Sequence, residues 1–297
     1  MKRALGLMAA MLVAGAGFAQ TDTTTGKSDT MRVGNFIIIK KNKDNNTDKK
    51  KDKGEDNSVW KDWDRDFSVR IQRKPYKRTN ISTNWFIFDL GFANFRDNTD
   101  YAAAQAGGYF KVLRTVDGPV DKNSFRLNTG KSSNVNIWLF MQKLNVIKHV
   151  VNLKYGLGLE MYNFRYDSRL SYRRDPVPYV YNDSISFSKN KLYVGYLTVP
   201  LMVNINASPN KRNGFSISGG ISAGYLLSSR NKQISAERGK QKNNGNFDLE
   251  PWRLATVAEV GLGPVRLYGS YSLNRLHKES THLEQYPYTV GIRFSNW

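Results

Sequence analysis

The chain has 297 residues, no cysteine and a formal charge of +20. Without cysteine there can be no disulfide, thiolate metal site or cysteine nucleophile, and three histidines leave little for imidazole chemistry. So basic a chain ordinarily points to nucleic acid, but 12% aromatics and 24 glycines suit strands and turns better than helices.

Residues 1–19 join a basic start (Lys2, Arg3) to an apolar run from Ala4 to Ala16 and small residues at Gly17 and Ala19. That order reads as a secretory signal peptide cut after Ala19, and export takes nucleic acid out of reach. No later stretch approaches the roughly 18 uninterrupted apolar residues of a membrane helix, so a membrane-embedded mature chain would have to cross as strands. Residues 20–83 read as a polar, charged arm, mostly disordered, because "KKNKDNNTDKKKDKGEDNSVWKDWDRD" offers too little apolar surface to offset ordering. One island interrupts the arm at residues 32–41, "RVGNFIIIKK", where Phe36 to Ile39 read as a short strand that either pairs or stays a sticky segment.

From residue 84 to 297 segments of about ten residues alternate in polarity between turn signals. There are eight: 84–95, 134–144, 151–164, 193–205, 214–227, 253–263, 265–273 and 286–297. In the first, Phe86, Phe88, Leu90 and Phe92 oppose Asp89 and Gly91; in the second, Val135, Ile137, Leu139 and Met141 share the apolar face. In the third, Leu153, Tyr155, Leu157, Leu159 and Met161 oppose Lys154, Gly156, Gly158 and Glu160. Connections alternate long and short, as in a meander with unlike rims. The expected fold is all-β: an eight-stranded antiparallel transmembrane up-and-down β-barrel. An even strand count puts both termini, and the arm, on the periplasmic side.

Bulk decides which face is inside. About four large apolar side chains per segment cannot fit the narrow interior of an eight-stranded barrel, so they face lipid rather than a lipocalin-like ligand cavity. The other parity is small and sparsely charged, as a crowded lumen requires. It gathers Asp89, Glu160 and Glu259 with Lys154, Arg266 and Arg293. Equal numbers of acids and bases fit a salt-bridge network that fills the barrel, since buried charges need partners; a catalytic or conducting constellation is the alternative reading.

The signal peptide, the eight segments, "YLTVPLMVN", "GLGPVRLYGSYSL" and the aromatic end "YTVGIRFSNW" resemble outer-membrane β-barrel domain proteins of the PorT-like type. The resemblance covers about residues 30–297. It implies the outer membrane of a Gram-negative bacterium, insertion by the barrel-assembly machinery through a C-terminal signal approximated by Gly291, Phe294 and Trp297, and no shared catalytic residues or cofactor. Tyrosines and tryptophans near segment ends suit interfacial girdles. The basic loop at 165–181 either meets lipopolysaccharide phosphates or an acidic partner, or is simply solvated. His277 or His282 with Ser280 is a conceivable nucleophile–base pair on the outer rim.

The functional expectation is a non-enzymatic envelope protein with a structural, adhesive, or secretion- or transport-accessory role, contacting lipid, lipopolysaccharide and an envelope protein partner. Its rivals are a small porin-like pore and an outer-membrane lipid-modifying enzyme.

Overall fold

The computed structural model describes residues 79–207 and 214–295, with the backbones of strands at 30–33, 36–40 and 67–68. The signal-peptide reading at 1–19 and most of the arm lie outside the described residues, as does Trp297. Within residues 1–78, three antiparallel strands stand in the order β1 (Thr30–Val33), β2 (Phe36–Lys40), β3 (Phe67–Ser68). The apolar island is thus a strand paired on both edges, with Val33 opposite Phe36 and Lys40 opposite Phe67.

Residues 79–297 form the second unit. Its long strands are β4 (Ile81–Asp97), β5 (Ser133–Ile147), β6 (Val151–Tyr166), β9 (Lys189–Asn206), β10 (Phe215–Ser235), β12 (Trp252–Leu262), β13 (Val265–Ser272) and β14 (Gln285–Phe294). Each pairs antiparallel with the next, and β14 returns to β4, so the sheet closes through 8 strands. Closure removes every edge from this ring. β4 opens at Ile81, ahead of the segment read from Asn84. The seam between β14 and β4 is tight: Gly291 faces Gly91, and a Cβ on Gly291 would stand 2.4 Å from the Gly91 Cα. Tyr268 packs over this bare patch of backbone.

Leu90, Phe92, Leu201, Val203, Ile221, Leu267 and Val290 are exposed, and the intervening side chains are buried. The ring is therefore apolar outside and polar within. The β5 segment departs from simple alternation. Met141, expected on the outer face, is fully buried with Trp138 and Ile87. The reason is a bulge: β5 spends Trp138 and Phe140 on consecutive residues of β6, Gly158 and Leu157, so Leu139 is extra and the parity flips. β4 makes the matching adjustment at Phe86, whose φ of 54° is rare for an aromatic residue. Trp85 and Phe86 consequently both face outward, and the Trp85 ring lies tilted against Phe140, with centroids 5.9 Å apart.

One end carries short turns, at residues 148–150 and at Gly263-Pro264. The other end carries the long connections, which hold their own structure: α1 (Tyr101–Ala106), the hairpin of β7 (Leu170–Arg173) and β8 (Tyr179–Asn182), and β11 (Gly239–Asn244) paired to β10. Asp100 caps α1 by accepting from the amides of Ala102 and Ala103.

Candidate functional site

The interior of the barrel is layered, beginning at the short-turn end. There Asn152 donates to Asn204 Oδ1 at 3.2 Å, and Asn204 donates to Ser218 Oγ at 2.9 Å, linking β6, β9 and β10. Above them lies an ionic layer. Register places Asp89 opposite Arg293, and Arg293 opposite Arg266. The Arg293 guanidinium grips Asp89 through Nε and Nη2, both at 2.7 Å, and reaches Glu259 with Nη1 at 2.7 Å. Glu259 also accepts from Arg266 Nη1 at 2.8 Å and from Lys154 Nζ at 2.8 Å. Lys154 lies on β6 and Glu259 on β12, strands that are not neighbours, so this bond crosses the lumen. Asn136 and Trp138 Nε1 complete the shell of Asp89 at 3.1 and 2.7 Å.

A second crossing joins the same two strands higher up. Arg253 Nη1 donates to Glu160 Oε2 at 2.8 Å, while its other nitrogens donate to Ser272 and Ser270 and its guanidinium lies 5.1 Å from the centroid of the Tyr162 ring. Tyr268 donates to Asn134 Oδ1 at 2.7 Å, from β13 to β5. All the ionic members are buried. Buried pairs roughly break even against an apolar filling, but removing one partner leaves an uncompensated charge.

Toward the long connections the filling becomes apolar and aromatic. Tyr162, Phe164 and Tyr166 of β6 and Leu192 and Val194 of β9 meet side chains delivered by the connections: Phe110 and Phe125, Leu170 and Tyr172, Phe247 and Leu249, Leu276 and Leu283. Tyr109 Oη donates to the Phe247 carbonyl at 2.7 Å, and Tyr166 and Tyr172 share a hydroxyl hydrogen bond of 2.8 Å. The four long connections therefore fold inward as a cap. Of the two readings of residues 165–181, the simply solvated loop does not describe the whole segment: Leu170, Ser171, Tyr172, Val180 and Tyr181 are buried, while Asp167, Arg169 and the hairpin tip from Arg173 to Val177 are exposed.

Histidine chemistry is not assembled here. His277 is fully buried, stacked on Tyr172 at 6.0 Å with the Tyr109 ring edge-on at 6.1 Å. Neither ring nitrogen has a hydrogen-bond partner among the described residues, and burial pulls its pKa down to about 3. Ser280 and His282 are exposed, and no hydrogen bond joins Ser280 to either histidine among the described residues. Nor do the described residues contain a group of three or more His, Asp or Glu side chains able to hold a metal.

The structure brings Asp89, Lys154, Glu259, Arg266 and Arg293 into one network, and puts Glu160 in a separate pair with Arg253. Arg253 was not among the residues singled out from sequence. Its signal was present, since it shares the parity of Glu259 within "RLATVAEVGLG". Among the described residues the fully buried lumen charges are thus four bases, Lys154, Arg253, Arg266 and Arg293, against three acids, Asp89, Glu160 and Glu259, and half-buried Lys143, opposite Lys154, adds a further base. Of the C-terminal residues, Gly291 points inward at the seam and Phe294 is exposed.

No curated protein matches the chain. A family model described as "Outer membrane protein beta-barrel domain" matches residues 121–278. That span runs from the cap segment before β5 to the connection after β13, and the two strands of the ring outside it, β4 and β14, are those that seal it. With over half the chain matched and a closed barrel that is apolar outside and polar within, the chain belongs to the outer membrane protein β-barrel domain family.

Proposed function

We propose that this protein is a non-conducting, non-enzymatic barrel of the outer membrane, of the PorT-like type, with a structural, adhesive, or secretion- or transport-accessory role in the envelope. One observation carries the reading: the lumen is bridged twice from β6 to β12, by Lys154–Glu259 and Glu160–Arg253, beneath an aromatic cap. An open aqueous path needs more strands or an unfilled interior. A rigid plug instead leaves the two rims as the working surfaces. The reading places the charged arm in the periplasm, where it meets an envelope protein partner, and the capped end outside, with insertion by the barrel-assembly machinery.

Planar-bilayer recording on the full chain tests this. The expected result is no steady conductance; a stable single-channel current would favour the pore. The mass profile of lipid A from cells with and without the protein is expected to be unchanged. A shift in acyl pattern would favour the lipid-modifying enzyme.

A further inference from the structure

Where β6, β9, β10 and β11 rise beyond the apolar band, register lines up cations across four adjacent strands. Arg165 stands opposite Lys191, Lys191 opposite Lys232, and Lys232 opposite Lys242. One row further out, Lys189 and Lys240 flank Ile234; one row closer to the band, Arg230 lies between Tyr193 and Asn244. All these cations lie on the outer face, because the alternating residues Tyr166, Asn190, Leu192, Asn231 and Ser235 are the buried ones.

Like charges directly opposed on neighbouring strands destabilise a sheet. Among the described residues no ion pair offsets these rows, since none of their seven cations enters one. Arg165 donates to the Ser188 carbonyl and Lys191 to Asn163 Oδ1, both neutral acceptors. Arg230 is the most telling. Its guanidinium lies 5.5 Å from the Tyr193 ring centroid, and its Nε is buried with no hydrogen-bond partner among the described residues. Beside it the β10 bulge between Leu226 and Ser228 opens a cavity of about 560 Å³, lined by Leu226 and Leu227 towards the band and by Arg230 and Asn244 away from it.

An exposed leucine edge at Leu227, a buried unsatisfied donor and a row of cations above it match an amphiphile with an anionic head. We infer that this rim is a binding site for the phosphate groups of a phosphorylated glycolipid of the outer leaflet, its acyl part lying against Leu227. Phosphate oxygens would accept from Arg230 and from the Lys191–Lys232–Lys242 row, relieving the repulsion that the bare sheet carries. The inference rests on the proposed placement of the capped end outside.

The test uses the full chain in neutral-lipid nanodiscs, with bisphosphorylated lipid A and its dephosphorylated form as probes. The unmodified chain is expected to retain the phosphorylated lipid and not the dephosphorylated one. Excess inorganic phosphate should not displace it. The K191Q/K232Q/K242Q variant should lose affinity on the order of a hundredfold, and R230Q should also weaken it. The triple variant should melt no lower than the unmodified chain, so a loss of binding is not a loss of fold. Equal binding of both lipids, unchanged binding by the variants, or equal capture of a lipid-free acidic polysaccharide would overturn the inference. Orientation is read separately with K240C, in a chain that has no cysteine of its own. Labelling by an impermeant maleimide on intact cells is expected. Protection there would overturn the outer-leaflet source even if lipid binding in nanodiscs held.

Discussion

Glu259 is the residue on which most of the ionic layer converges, since it accepts from Lys154, Arg266 and Arg293 in a buried position. Glu259→Gln removes the charge while keeping the shape, and takes from Lys154 and Arg266 the carboxylate they share, while Arg293 keeps Asp89. The expected cost is about 3–5 kcal/mol, read as a lower urea midpoint for the conversion from the fast-migrating folded form to the slow unfolded one. Lys154→Met should cost less, because the remaining arginines still neutralise Glu259. The double variant should cost less than the sum of the two single changes, as coupling across the lumen requires.

His277 gives the cap a pH dependence with a definite sign. Its pKa falls from 6.5 to about 3 on burial against Tyr109 and Tyr172. Both tyrosines stay neutral, their own pKa values pushed far up, first of all by burial. Between pH 6.5 and pH 3 the unfolded cap therefore binds a proton that the folded cap refuses. The histidine's contribution is fully present above pH 6.5 and is lost as the pH falls towards 3. Between neutral pH and pH 4 this amounts to roughly 3 kcal/mol at about 1.4 kcal/mol per pKa unit. Protease cleavage within residues 273–284 should rise on acidification, and His277→Phe, which keeps the stacking, should flatten that rise.

At the scale of elements, the closing seam leaves no room for a side chain. Gly91 and Gly291 face each other on β4 and β14, and any side chain on Gly291 would meet the Leu90 carbonyl and the Gly91 Cα at 2.4 Å. These are backbone atoms and cannot swing aside. Gly291→Val should prevent closure and abolish the heat-modifiable folded band, whereas Gly219→Val, where a Cβ meets nothing within 4 Å, should leave it intact. The paired irregularities at Phe86 and Leu139 show the same economy in reverse. One extra residue on each of two neighbouring strands turns the parity of both, so Ile87, Trp138 and Met141 fill the lumen together while Trp85 and Phe140 face out.

Across the whole molecule, the alternation of bulky apolar and small polar residues was enough to find eight crossing segments and to say which parity is enclosed. That is because lipid and lumen impose opposite chemistry on successive side chains, and the contrast survives in a bare string of residues. Arg253 could have been found by the same parity. Met141 could not, since a bulge shifts parity by one without any mark in the hydrophobic pattern. The cap was also out of reach: Phe110, Phe125, Tyr172 and Phe247 sit in polar connections with no period, and only their convergence over the mouth makes them a core. Composition and period, then, determined the class of fold, the inside and the outside. Which charges meet across the lumen, which loops close it and which cations stand in one row were decided by the register of strands far apart in the chain, because those contacts depend on ring closure rather than on local preference.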